Sequence, residues 1–163
     1  MKLSAPLLYG IIASILLVSA PHAEYLPLWV SALCAIMLGW RFHLAWSNNP
    51  LPPRWLLLLI TLAGIAGILI SYRTLFGREA GVALLILLTS LKLLELRSAR
   101  DATVLVYLAS FIIITNFFNS QSIATAAYML ATLLVIMATW VHMHTGTLAL
   151  KPRLSIAAVL LLQ

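Results

Sequence analysis

The chain has 163 residues, of which 63% are hydrophobic and 9% charged, with a mean hydropathy of +1.07 and a formal net charge of +6. A soluble domain carries about 25% charged residues, so a water-soluble globule of any size is excluded. Each crossing of a bilayer takes ~20 mostly apolar residues, and the chain has room for six or seven crossings and little else.

The apolar runs predict an all-α, polytopic membrane helical bundle with six full spans and the start of a seventh. Span one covers 5–20. The basic Lys2 ahead of it resembles the start of a signal peptide, but Pro21 interrupts "VSAPHAE" where cleavage would fall, and a retained helix is expected. "PHAEYLP" reads as a tight turn. Span two covers 28–46, and "SNNPLPP" ends it, because proline removes a donor and disfavours helix before itself. Span three covers 54–72, span four 79–96, span five 101–118 and span six 123–143. A seventh apolar run starts at Leu154 and reaches Leu162, next to the last residue Gln163. Nine helical residues rise only about 14 Å, half a bilayer, so a longer protein is expected, with this chain as its N-terminal transmembrane domain.

Lys and Arg set the orientation. With the N-terminus cytoplasmic, Lys2, Arg41, Arg54, Lys92, Arg97, Arg100, Lys151 and Arg153 fall inside, and Arg73 and Arg78 outside. Cytoplasmic loops carry this excess of positive charge. Trp29, Trp40, Trp46, Trp55 and Trp140 fall near span ends, where amphipathic rings favour the interface. The basic residues report topology; no basic patch with interleaved aromatics occurs, and no nucleic-acid partner is expected.

"LKLLELRSARDA", residues 91–102, holds Lys92, Glu95, Arg97, Arg100 and Asp101, five of fourteen charges. It joins spans four and five. Lys92 and Glu95 share a helix face and can pair, and Lys92 can snorkel to the headgroups. Arg97 is expected to close the helix at its negative dipole end. Ser98 and Asp101 have capping-box spacing. The structural reading is a tight helical hairpin. The functional one is a docking or ion site, since ionisable groups within membranes are functional candidates. A cytoplasmic protein or a second copy of the chain would be its partner, beside the bilayer itself.

Other candidates carry less. Cys34, the single cysteine, excludes an internal disulfide and a multi-cysteine metal site. It lies mid-span, where a triad with Asp101 and a histidine at the cytoplasmic edge fails on geometry. His142 and His144 are two apart, on different helix faces, with no carboxylate near in sequence, and no metal or other cofactor is expected. Gly77 and Gly81 form a GxxxG pattern, a weak signal of helix packing. Asn116, Asn119 and Gln121 fit solvation or capping at an outer turn. No P-loop, HExxH, GxSxG or dinucleotide motif is present, and no catalytic residue is assigned. A small transporter or channel is the competing class; Thr61 and Thr132 are the polar residues noted inside spans three and six, fewer than a pathway needs.

"PHAEYLPLWV", "LPPRW", "LFGREAGVALLILL", "LKLLELRSARDA" and "FFNSQS" occur in this order. Together, from Pro21 to His144, they resemble the N-terminal membrane domain of bacterial TgpA-type transglutaminase-like proteins. The resemblance implies a bacterial inner-membrane protein whose catalytic Cys, His and Asp lie in a periplasmic domain beyond residue 163. None of those three residues maps onto this chain. The implied role here is anchoring and positioning.

Overall fold

A computed structural model describes residues 5–47, 49–74, 77–117, 119, 121–145 and 159; the side chains of 144 and 145 lie outside that description. The described residues form six α-helices and one 3-10 turn, with no strand among them. The helices are α1 (Ala5–Ser19), α2 (Leu28–Trp46), α3 (Arg54–Tyr72), α4 (Arg78–Leu94), α5 (Ala99–Asn116) and α6 (Ile123–Thr145). Five segments are long and apolar enough to cross a membrane: α1 with its 3-10 extension, α2, α3, α5 and α6. The fourth predicted span is a helix of 17 residues that ends at Leu94, not Leu96. The seventh run lies outside the described residues, apart from Val159.

Local chemistry explains most boundaries. Pro27 and Pro53 precede α2 and α3, and their carbonyls take the first backbone bonds, Val30 N–H to Pro27 at 2.9 Å and Leu56 N–H to Pro53 at 3.1 Å. A proline fits there because the first helical donors have no intrahelical partner. "PHAEYLP" is no tight turn. Residues Ala20–Glu24 continue α1 as a 3-10 turn, and Tyr25 and Leu26 N–H both donate to the His22 carbonyl. Pro21 sits at the start of that turn, where a missing N–H does least harm. Helix α5 starts two residues earlier than its charge pattern suggested, because Ser98 caps it.

Helix α4 is the centre of the bundle. It packs against α2, α3 and α5 and more lightly against α1, while α6 joins α1 and α5. Its residues Ala83, Ile86, Leu87, Leu93 and Leu94 are buried. Helix α3 is peripheral and packs mainly against α4, leaving Leu58, Leu59, Leu62, Leu69 and Ile70 exposed. An apolar surface of that kind is foreign to a water-soluble monomer.

Close helix approaches occur on α3. A Cβ placed at Gly64 would stand 2.5 Å from Leu87 Cδ2, and one at Gly67 would stand 2.8 Å from the Trp29 ring. The GxxxG pair noted in the sequence has no such role: a Cβ at Gly81 would meet nothing within 4 Å among the described residues, and at Gly77 only Thr74 at 3.9 Å. Gly67→Ala must displace a rigid indole whose Nε1–H donates to Ser71 Oγ at 3.1 Å. Overpacking of this kind costs about 1–3 kcal/mol. Thermal unfolding in detergent is expected to show Gly67→Ala destabilised by that amount and Gly81→Ala within about 1 kcal/mol of the parent.

Candidate functional site: the basic end of the bundle

The ends of α2 and α4 and the starts of α3 and α5 meet at one end of the bundle. That end holds Arg41, Arg54, Lys92, Arg97 and Arg100, whereas the opposite end holds Arg73 and Arg78 among the described residues. Helix α4 stops there, and its last carbonyls lack intrahelical donors. The Leu93 carbonyl takes the Leu96 N–H at 3.3 Å, and Arg41, on α2 and only 7% exposed, adds side-chain donors at this end. Its Nε donates to the Leu93 carbonyl at 3.1 Å and its Nη2 to the Leu96 carbonyl at 3.3 Å. The guanidinium also sits at the negative end of the α4 dipole.

The closing role expected of Arg97 therefore belongs to Arg41. Arg97 lies past the helix end, is exposed, and donates from Nη2 to the Pro52 carbonyl at 3.4 Å, tying the α2–α3 linker to the α4–α5 hairpin. No local signal distinguishes Arg41 in the sequence, because its acceptors lie more than fifty residues away, on the end of another helix.

Asp101 is the hub of the hairpin, and its two oxygens divide the work. Oδ2 accepts the Ser98 N–H at 3.1 Å, the Ser98 hydroxyl at 2.8 Å and the Arg97 N–H at 3.3 Å. Ser98 Oγ accepts the Asp101 N–H at 3.2 Å, so the capping box is complete. Oδ1 stands 3.0 Å from Lys92 Nζ. Lys92 also meets Glu95 Oε2 at 3.2 Å. The Lys92–Glu95 pair follows the helical spacing; the Lys92–Asp101 pair crosses the hairpin and is not implied by it. Arg100 is exposed on α5.

The other candidates stay apart from this cluster. Cys34 is free and buried in the apolar core near Val30, Met37 and Ile86. Among the described residues no group of three His, Cys, Asp or Glu side chains could hold a metal ion. His142 is buried on α6, and the His144 side chain lies outside the described residues. Asn116 is buried, not solvated, and its carbonyl accepts the Asn119 N–H at 3.0 Å. At the opposite end His22 is 1% exposed. Its Nδ1 donates to the Val18 carbonyl at 3.2 Å, and its Nε2 lies 3.1 Å from Thr115 Oγ1, locking the end of α1 to α5.

The span interiors hold more polar groups than Thr61 and Thr132. Ser14 and Thr139 stand 3.4 Å apart in the α1–α6 seam. Each hydroxyl already donates to a carbonyl of its own helix, Ser14 to Gly10 at 2.8 Å and Thr139 to Val135 at 2.8 Å. Such bonds make these groups packing elements, not a polar pathway.

The described residues form an all-helical bundle with a basic end, in which five segments are long and apolar enough to cross a membrane. The chain belongs to the TgpA N-terminal domain family, whose model matches residues 10–163. It is similar to a protein-glutamine gamma-glutamyltransferase of Pseudomonas aeruginosa, with 31% identity over 159 residues. That match covers 96% of this chain but 24% of the relative, so the chain spans about a quarter of the length of that curated protein. No solved structure matches it.

Arg41 carries the firmest prediction of the site. Losing the charged donor to the Leu93 and Leu96 carbonyls costs about 1.5–3 kcal/mol. Arg41→Leu is expected to destabilise the bundle by that amount in thermal unfolding. Arg41→Lys is expected to recover little, because one ammonium cannot reproduce the guanidinium fork. Asp101→Ala loses the cap and is expected to cost about 1–2 kcal/mol, against less than about 0.5 kcal/mol for Glu95→Gln at a largely solvated pair.

Proposed function

We propose that this domain is a multi-pass unit of the bacterial inner membrane, with a cytoplasmic N-terminus, that anchors and orients a transglutaminase-like catalytic domain on the periplasmic side. The observation that carries the reading is the uneven charge of the two ends. Among the described residues five Lys and Arg stand at one end and two at the other; in sequence Lys2 precedes α1 and Lys151 and Arg153 follow α6. Positive charge is retained on the cytoplasmic side of short loops. Helices that are apolar around their whole circumference, such as α3, suit lipid better than water.

On this reading α4 also crosses, fourth in chain order, bringing the five long segments to six; it is short but flanked by Arg78 at one end and Lys92 at the other. The apolar run from Leu154 makes a seventh crossing and leads the chain to the periplasm. The activity named for the Pseudomonas aeruginosa relative belongs, in this proposal, to the segment that follows, with cysteine-dependent chemistry. The residues of this domain supply position, not catalysis. Anchoring is favoured over transport because the Ser14, Ser90, Thr132 and Thr139 hydroxyls bond carbonyls of their own helices and the charges gather at the ends of the bundle.

Orientation is directly testable. In a Cys34→Ser background, Gln121→Cys is expected to react with a membrane-impermeant maleimide added to cells with a permeable outer membrane. Asn49→Cys is expected to react only after the inner membrane is opened. The reverse pattern would invert the topology and remove the periplasmic placement. Replacing residues 1–163 of the full protein by an unrelated anchor of the same topology tests positioning, with lost activity expected despite intact membrane insertion.

A further inference from the structure

The basic end contains two adjoining cavities. One, of about 690 Å³, has Leu88 and Leu91 of α4 as its floor, with Leu58 of α3 and Val104 and Leu108 of α5 on its flanks. The other, of about 470 Å³, is lined by Arg54, Lys92, Glu95, Arg97, Ser98 and Asp101. Arg54, Lys92 and Glu95 line both, so an apolar groove runs directly into a charged mouth. The groove exists because α3 and α5 each pack against α4 and leave a gap between them. Leu58, Leu88 and Val104 are exposed along it.

The mouth keeps positive charge after its internal pairs are made. Lys92 holds both carboxylates, Glu95 and Asp101. Arg97 spends one long bond on the Pro52 carbonyl. Arg54 is exposed at the first position of α3 and makes no hydrogen bond or ion pair with the described residues. Two guanidiniums with free donors thus stand at the end of an open, mostly apolar groove. Guanidinium forks match phosphate oxygens, and basic pockets between helices on the cytoplasmic side take anionic headgroups.

We infer that this groove is a binding site for an anionic phospholipid. One acyl chain lies along Leu58, Leu88, Leu91 and Val104, and the phosphate diester sits between Arg54 and Arg97. A second copy of the chain fits less well, since a two-fold contact would bring the same cations against themselves. The chain's own residues 151–163 fit less well too, because they add Lys151 and Arg153 and no acid. The inference rests on the membrane reading above. If that reading fails, the chain does not fractionate with membranes; if the lipid site alone fails, it does so but shows no headgroup preference.

The test is thermal unfolding of the full chain in mild detergent, with palmitoyl-oleoyl phosphatidylglycerol or phosphatidylcholine of the same chains added. A ligand that binds the folded state raises the midpoint by mass action. Phosphatidylglycerol is expected to raise it several degrees more than phosphatidylcholine. The difference should vanish in Arg54→Gln/Arg97→Gln and persist in Arg100→Gln, which lines neither cavity. Val104→Trp keeps every charge and fills the groove, so it should also abolish the preference, even if the double variant proves unstable. Equal shifts from the two lipids in the parent would overturn the inference, as would a preference that survives Val104→Trp. An equal rise with sodium phosphate alone would assign the cations to a soluble anion and overturn it as well.

Discussion

A guanidinium buried among apolar helices must find acceptors or make the fold unstable, since an unpaired buried charge costs several kcal/mol. Arg41 solves this with the Leu93 carbonyl in the last turn of α4 and the Leu96 carbonyl just past its end. The two needs are complementary: α2 carries a buried donor group, and the end of α4 presents carbonyls that can accept a further bond. Meeting both fixes the depth of α4 against α2. Because α4 is the helix on which α3 and α5 pack, its depth sets theirs.

The length of α4 gives this contact its weight. Seventeen residues rise about 26 Å, short of a hydrocarbon core ~30 Å thick. In the membrane reading, one end of α4 stops close to the hydrocarbon boundary, where water is scarce and bare carbonyls are expensive. Arg41 from the neighbouring helix replaces the missing solvent. Lys92 and Asp101 extend the same arrangement outward, joining the last turn of α4 to the first turn of α5. The short helix and the charged hairpin are thus two parts of one solution to ending a helix early.

Much of this was legible locally. Helix class, five long apolar segments, the Ser98–Asp101 capping box and the Lys92–Glu95 pair all follow from spacing within a few residues. What spacing could not reveal depends on the other helices. Arg41 looks like a topology charge until α4 is placed beside it. His22 looks like a turn residue until Thr115 is brought to 3.1 Å. The glycines show the same limit from the opposite side. Gly77 and Gly81 have the motif spacing but open surroundings, while Gly64 and Gly67, three apart and outside the motif, are the positions where Leu87 and Trp29 press close. A motif records which residues share a helix face, not which face is covered.

A single apolar helix is enough to hold a protein in a bilayer. Six helices with a buried arginine clamp are more than retention requires. What the additional helices supply is rigidity and shape: α4 enclosed by neighbours, α1 and α6 joined along a Ser14–Thr139 seam, and Tyr128 donating to the Leu17 carbonyl at 2.7 Å. Those contacts fix the end carrying His22 relative to the end carrying Arg41. A downstream catalytic domain attached to such a body would be held at a defined angle and height, whereas one on a single span would be free to tilt and turn. In the proposed role, the packed body supplies orientation as well as retention, and the lateral groove between α3 and α5 lies at its basic end.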